Sequence, residues 1–305
     1  MKAWNRFKNS YVLYSFKRDP IAIASFSVLS VLVVICVLAP VVAPYNTYDT
    51  ATFDIMDAET PPSWMAEGSE TFMLGTDIQG RDLLSTMIYG LRVSLLIGCG
   101  AVLVQAFIGI LVGLFSGYFG GKLDSFLMRV TDIQFSIPYL IVAIFTSAIF
   151  KLAFGVGRYA ELAVPLLIVI IGVSHWPIYA RTVRASVLGE KNKEYVEAAR
   201  VIGISRWQIM FRHILPNTLT SVLVISTIQV AENVMSEAAL SFLGLGMPIT
   251  KPSLGSLIRS GFEYIFSGSW WITFFPGILL VIFLLVILLL GDWLRDVLNP
   301  KLYKG

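Results

Sequence analysis

Polar side chains that could do chemistry are concentrated in one otherwise apolar stretch of the chain, residues 218–243. Four of them recur at three- and four-residue spacing, which places them on one face of a helix: Ser226, Gln229, Asn233 and Ser236. Two carboxylic acids, Glu232 and Glu237, lie in the same stretch. A carboxylate in a long apolar helix is too costly to expose to hydrocarbon, so we expect both to line an aqueous path or to pair with other helices.

The two acids do not form a catalytic or metal-binding pair on this helix. Five residues separate Glu232 from Glu237, which corresponds to roughly 140° around an α-helix. The shared polar face has two interpretations that the sequence leaves open. It borders a path along which a solute crosses, or it makes hydrogen bonds to neighbouring helices.

The motifs of common enzymes are missing from the sequence. Gly120-Gly121-Lys122 is followed by Leu123 and lacks the first glycine of a phosphate-binding loop. Neither a His-Glu-x-x-His nor a Gly-x-Ser-x-Gly pattern occurs. The only histidines, His175 and His213, have no neighbours that would complete a metal site. We therefore expect a chain that is not itself an enzyme and that binds no ATP, metal or other cofactor.

The composition indicates the environment in which these side chains lie. Of the 305 residues, 56% are hydrophobic and 14% are charged, whereas soluble domains carry about 25% charged residues. Apolar runs long enough to span a bilayer recur six times, at 21–43, 93–117, 126–150, 162–183, 218–243 and 271–293. The sequence thus predicts an all-α polytopic membrane protein with six transmembrane helices, the first of which is retained as a helix.

The distribution of charge predicts the orientation of the chain. The segment from Pro44 to Arg92 is rich in Asp and Glu but has only Arg81 and Arg92 as basic residues. Most of the 23 Lys and Arg residues fall near the two termini, at 122–129 or at 181–212. By the positive-inside rule the acidic segment lies outside, and both termini lie in the cytoplasm. Arg129 and Asp132, three residues apart, are expected to pair with each other.

The longest charged segment between apolar runs is residues 194–217, EYVEAARVIGISRWQIMFRHILPN. Good helix formers extend to Arg200, Gly203 interrupts them, Ser205 caps a second helix and Pro216 opens the next apolar run. The pattern predicts a helix, a turn and a second helix outside the hydrocarbon. An ordinary amphipathic helix on the membrane surface is the alternative.

The order Glu197-Ala198-Ala199, then Gly203, then Leu215-Pro216 resembles the cytoplasmic loop of the membrane subunits of bacterial ATP-driven (ABC-type) importers. Further stretches resemble the C-type permease of the dipeptide, oligopeptide and nickel importers. These are Leu74-Gly75-Thr76-Asp77 with Gly80-Arg81-Asp82, Leu240-Ser241-Phe242-Leu243-Gly244-Leu245-Gly246, and Gly291-Asp292 with Leu294-Arg295-Asp296.

This resemblance implies the type I ABC importer permease fold, with a permease domain at about 90–295 that includes the coupling loop 194–217. Residues 1–70 would hold the N-terminal segment, the first membrane helix and the start of the acidic loop. In the loop, Glu197 would contact the ATPase, Ala198 and Ala199 would allow close approach, and Gly203 would set the angle.

The resemblance also implies a bacterial inner-membrane importer of dipeptides or oligopeptides that works by alternating access. Its partners would be membrane lipid, a second related permease, two ATPases that hold ATP and Mg, and an external substrate-binding protein, with no nucleic acid. The alternatives are an importer of nickel or another small solute and, from a different class, a secondary transporter.

Overall fold

The computed structural model describes residues 11–49, 51 and 53–298, and this part of the chain is built from α-helices. Three of the N-terminal basic residues, Lys2, Arg6 and Lys8, lie outside the described residues, as do Lys301 and Lys304. The α-helices are α1 (Tyr11–Arg18), α2 (Pro20–Val37), α3 (Ala39–Val42), α4 (Leu83–Phe119), α5 (Gly121–Ser136), α6 (Tyr139–Glu190), α7 (Glu194–Val201), α8 (Arg206–Gln208), α9 (Leu215–Phe242), α10 (Leu254–Glu263) and α11 (Trp271–Val297).

Five helical stretches within the described residues are long and apolar enough to cross a membrane. They are α2, α4, α6, α11 and the continuous helix Arg206–Phe242, which contains α8 and α9. The sequence predicted six. The difference arises because the predicted runs 126–150 and 162–183 do not form two separate long helices. The start of the first run lies in α5, and the rest of it lies in α6 together with the whole second run.

Helix α6 is not straight, because Gly155 has non-helical backbone angles (φ 80°, ψ 162°). The two parts of α6 run back along each other. The ring centroids of Tyr139 and His175 lie 5.0 Å apart, whereas the same residues in a straight helix would be roughly 54 Å apart. Phe150 and Tyr159, nearer the bend, are 6.3 Å apart. Tyr139–Glu190 is therefore an antiparallel helical hairpin whose turn is at Gly155.

The predicted run 126–150 is interrupted by Pro138. A residue that precedes proline is driven away from helical angles by the proline ring, and Ile137 is extended here (φ −96°, ψ 118°). Helix α5 ends at Ser136 and α6 begins at Tyr139 for this reason. The prediction of one uninterrupted helix over 126–150 was wrong.

Helices α4, α6 and α9 form the centre of the molecule. Glycines on α4 allow α6 to approach closely, because a Cβ at Gly109 would lie 2.3 Å from the Cβ of Tyr179, and one at Gly113 would lie 2.5 Å from the Ala180 carbonyl oxygen. Gly109 and Gly113, four residues apart, thus serve close helix packing, as small residues commonly do in membrane helices. Tyr179 and Leu114 are fully buried in this contact.

Helix α4 begins at Leu83, ten residues before the predicted apolar run. Asp82 explains the difference, because its carboxylate accepts a hydrogen bond from the Ser85 amide at 2.8 Å and so caps the helix. Burial raises the pKa of the Asp82 carboxyl. The preceding segment is fixed by the buried ion pair of Asp77 and Arg81 at 2.6 Å.

Candidate functional site

The charged segment 194–217 contains the two predicted helices and the turn between them. Helix α7 ends at Val201, and Gly203 then adopts positive φ (+83°). The Ser205 hydroxyl caps α8 by accepting a hydrogen bond from the Gln208 amide at 3.4 Å. The predicted helix, turn and helix are confirmed, but the second helix does not stop. It continues through a π-helical turn, Ile209–Ile214, directly into α9.

The exposed side of α7 differs in part from the prediction. Glu197 and Ala198 are exposed, whereas Ala199 is buried among apolar residues of α6 and of the π-helical turn. Ala199 therefore permits close packing within this chain and is not available to a partner. Val201 and Ile202 are 88% and 77% exposed, and the sequence analysis did not single them out. The sequence feature that could have identified them is a pair of apolar residues at the end of a charged helix.

Segment 194–217 is tied to the end of α6 and to the start of α9. The Tyr195 hydroxyl donates to Glu190 at 2.7 Å and accepts from the Asn217 amide at 3.1 Å. Burial and the nearby Glu190 carboxylate raise the pKa of Tyr195. One phenol thus joins α6, α7 and α9.

A second connection lies beside this segment, where Arg184 of α6 binds Asp124 of α5 through two hydrogen bonds of 2.6 Å. The Ser116 hydroxyl of α4 donates to the same carboxylate. Hydrogen bonds from Arg184 hold the pKa of Asp124 below its ordinary value. Lys191 adds a hydrogen bond of 2.9 Å to the Gly117 carbonyl. These contacts fix the ends of α4, α5 and α6 together.

The predicted pair of Arg129 and Asp132 is wrong. Asp132 binds Arg181 instead, at 2.7 Å. The antiparallel packing of α5 against α6 supplies the arginine from the other helix, and a reading of spacing along one helix misses such a partner. The pair is half exposed, in contrast to Asp124 and Arg184.

On α9, two residues of the predicted polar face make hydrogen bonds to the neighbouring helices. Asn233 is fully buried, accepts from the Gln105 amide at 2.7 Å and donates to the Gly98 carbonyl at 3.2 Å. Ser226 accepts from the Tyr179 hydroxyl at 3.0 Å. Gln229 and Ser236 are also buried. Interhelical hydrogen bonding, one of the two open interpretations, describes Asn233 and Ser226.

The two carboxylic acids of α9 lie in different environments. Glu237 is fully buried and accepts hydrogen bonds from Ser94 at 2.7 Å and from Ser241 at 2.6 Å. Glu232 is exposed on the surface of the chain. They do not form a pair, as their spacing predicted.

The remaining groups to consider are the possible metal ligands. Within the described ranges, no three His, Cys, Asp or Glu side chains come close enough to hold a metal ion. His175 packs its ring against Tyr139. The main exposed polar feature described above is the charged segment 194–217, which lies between α6 and α9.

Two sequence families match the chain. Residues 109–304 match the family described as binding-protein-dependent transport system inner membrane component. Residues 10–62 match the N-terminal TM domain of oligopeptide transport permease C. The second match covers α1, α2 and α3.

Curated relatives align over most of the chain. A di/tripeptide transport system permease protein of Pseudomonas aeruginosa is 38% identical over 89% of this chain and 85% of its own length. A dipeptide transport system permease protein of Escherichia coli is 37% identical over 94% and 91%. An oligopeptide transport system permease protein of Haemophilus influenzae is 36% identical over 94% and 86%.

The fold is similar to that of a solved transporter chain. A chain of the MetNI methionine ABC transporter, in an inward-facing conformation, superimposes with a TM-score of 0.56 at 24% sequence identity. The match covers 70% of this chain and 97% of the MetNI chain. At this identity the match shows similarity of fold alone.

Proposed function

Because the chain belongs to the family of binding-protein-dependent transport system inner membrane components, we propose that it is one permease subunit of an ATP-driven importer of dipeptides or oligopeptides. The observation that carries the substrate class is the set of relatives named for peptide transport, which are 36–38% identical over nearly the whole chain. The low number of metal-ligating side chains, two His and two Cys, gives the nickel alternative less support.

We propose six membrane crossings with both termini in the cytoplasm of a bacterial inner-membrane protein. The hairpin at Gly155 supports this count, since α5 with the first part of α6 forms one crossing and Val156–Glu190 the next. The concentration of Lys and Arg near the termini and around residues 181–212 supports the orientation. The permease domain then extends over about 90–295, and the first 70 residues precede it.

We infer that segment 194–217 is the coupling loop that docks on a cytoplasmic ATPase. Glu197 and Ala198 are exposed for contact with the partner, and Val201 and Ile202 add an apolar surface that water alone would solvate poorly. Gly203 sets the angle between α7 and α8, and Pro216 lies in the first turn of α9. The ATPases hold ATP and Mg; this chain contributes the mechanical link.

Closure of the ATPases would displace α7, and the displacement would pass to α6 through Tyr195 and Glu190 and to α9 through the continuous helix after Ser205. Movement of these helices against a second, related permease turns the central path from inward-facing to outward-facing. An external substrate-binding protein delivers the peptide.

For the path itself we propose Glu232 as the residue of α9 that faces water or the second permease. An exposed carboxylate in the middle of an apolar helix is not compatible with contact with lipid tails. Ser226, Gln229, Asn233, Ser236 and Glu237 would instead hold α9 in position, because they are buried or half-buried within the subunit.

Affinity purification of the tagged chain from native membranes tests the assignment. We expect a second permease and two ATPase subunits to be identified by mass spectrometry, together with a binding protein from the same preparation. The purified complex, reconstituted in liposomes with ATP and that binding protein, should accumulate labelled dipeptide. Recovery of the chain alone from an intact preparation would contradict the proposal and favour a secondary transporter.

A further inference from the structure

Two cationic side chains converge on Gly244, in the turn that follows α9. Lys151, near the end of the first arm of the α6 hairpin, donates to the Gly244 carbonyl at 3.5 Å and lies over the Tyr159 ring at 4.3 Å from its centroid. Arg259 of α10 also approaches this residue, since a Cβ at Gly244 would lie 1.6 Å from its Nη1 atom. The guanidinium occupies the space that a side chain at this position would take.

The protein balances only part of the positive charge at this place. Among the described residues, Lys151 has no carboxylate within ion-pair distance, and Arg259 reaches only Glu263, at 3.6 Å and with both side chains partly in solvent. The nearby Arg158, in contrast, has its own partner in Glu161 at 3.3 Å. Two cations held against one backbone residue repel each other, and an anion between them removes that cost.

The turn that carries Gly244 is held in one conformation. Tyr159 is 2% exposed, and its hydroxyl lies 2.6 Å from the Leu245 carbonyl oxygen and 2.8 Å from that of Gly246. Ser241, bound to the buried Glu237, accepts a hydrogen bond from the Met247 amide at 2.9 Å. The backbone against which the two cations lie is therefore fixed, and both cations project from helices, α6 and α10, which lowers the entropy cost of binding a ligand.

We propose that Lys151 and Arg259 form a carboxylate-binding site at the outer mouth of the subunit, and that its ligand is the C-terminal carboxylate of the incoming peptide. The inference rests on the proposed function and on the proposed orientation, which puts the Gly155 turn outside. A peptide importer that tolerates different side chains must bind groups common to all peptides. The free terminal carboxylate is one such group, and Arg with Lys is well suited to bind it.

Binding is tested on the complete importer in nanodiscs by saturation-transfer NMR, without the binding protein, using alanyl-phenylalanine and its C-terminal amide as probes. For the wild type we expect a signal for the free acid at least about fivefold stronger than for the amide, because the amide lacks the charge-assisted hydrogen bonds. Lys151→Met and Arg259→Gln should each remove this difference. Arg158→Gln, which deletes an equal charge nearby, should preserve it.

Uptake into proteoliposomes, with loaded binding protein at saturating concentration, gives the second readout. We expect Lys151→Met and Arg259→Gln to slow import of the free acid about tenfold, while Arg158→Gln imports at the wild-type rate. Equal or absent NMR signals for acid and amide in a wild-type complex that imports peptide would overturn the carboxylate site alone. A slower uptake with unchanged NMR signals would assign the two cations to docking of the binding protein and also overturn it. Failure of the wild type to import any peptide would instead refute the proposed function.

Discussion

Asn233 and Gln105 are buried polar residues that bond to each other, so the contribution of each one to stability depends on the other. Replacing Asn233 by Leu removes the acceptor at 2.7 Å from the Gln105 amide, which then keeps only the longer bond of 3.5 Å to the Ile171 carbonyl, and an unsatisfied buried donor costs about 1–3 kcal/mol. We expect Asn233→Leu to lower the thermal unfolding midpoint of the purified complex. The double variant Asn233→Leu with Gln105→Leu should recover part of the loss. Normal stability combined with lost uptake would instead place Asn233 in the transport path.

Asp124 should make stability depend on pH. Arg184 holds the folded-state pKa of Asp124 below 3.8, its ordinary value. The ion pair therefore stabilises the fold fully above the unfolded-state pKa, and this contribution is lost as the pH falls through the lowered value. We expect Asp124→Asn to cost about 2 kcal/mol at pH 7, with the difference from wild type shrinking as the pH falls below the unfolded-state pKa.

The exposed pair of Asp132 and Arg181 provides the control for Asp124. Its side chains are 64% and 49% exposed, so Asp132→Asn should change the unfolding midpoint in detergent very little at any pH. Equal losses for both variants at pH 7 would contradict the role given to Asp124.

The sequence predicted which side chains share a helix face better than it predicted which side chains they bond to. Helical spacing correctly separated Glu232 from Glu237 and grouped Asn233 with Ser236, because both follow from the geometry of one helix. The partners of these side chains, such as Gln105 and Ser94, come from α4 and are set by tertiary packing. Ala199 was placed on the docking surface for the same reason, since nothing in the sequence shows which side of α7 packs against α6.

Among the elements, the turn between α7 and α8 depends on Gly203. Its φ of +83° is costly for a residue with a side chain, by roughly 1–2 kcal/mol. A Cβ there would meet nothing within 4 Å, so the chain remains able to fold. We expect Gly203→Asp to leave the complex assembled in the membrane but to alter the angle of the coupling loop and uncouple ATP hydrolysis from uptake. The ratio of peptide imported to ATP hydrolysed measures this effect.

Two substitutions control for the added side chain and charge. Gly203→Asn should lose coupling to a similar extent, because Asn tolerates positive φ about as well as Asp and has a side chain of the same size without the charge. Gly189→Asp adds the same charge to an exposed position of α6 with open space around it and should behave as wild type. Coupled uptake by Gly203→Asp at the normal ratio would refute the role of the turn.

The apolar runs predicted where helices occur more reliably than the residues at which those helices begin and end. The runs at 21–43, 93–117, 218–243 and 271–293 all correspond to helices, but Asp82 caps α4 well before its apolar part begins. Pro138 divides another run, and it was a local signal that the analysis of hydropathy alone passed over. The continuous helix from Arg206 into α9 joins polar and apolar residues that composition had separated.

For the whole molecule, the number of crossings depends on the α6 hairpin. The arm Val156–Glu190 crosses the bilayer once if Gly157 and Gly189 emerge on opposite sides. Their separation along a helix is about 48 Å, more than the roughly 30 Å of hydrocarbon. Both glycines are exposed, and a Cβ at either would meet nothing within 4 Å. Cysteine at these positions should therefore preserve the packing.

We predict that, in a background with Cys36→Ala and Cys99→Ala, a membrane-impermeant maleimide added to intact cells labels Gly157→Cys but not Gly189→Cys. After permeabilisation it should label both equally. The two variants serve as controls for each other, because both sites are exposed glycines of the same helix. Labelling of both sites from outside would show that the two arms of α6 do not each cross the bilayer. Labelling of Gly189→Cys alone would show that the orientation of the molecule is the reverse of the proposed one. In either case segment 194–217 could not reach a cytoplasmic ATPase as proposed.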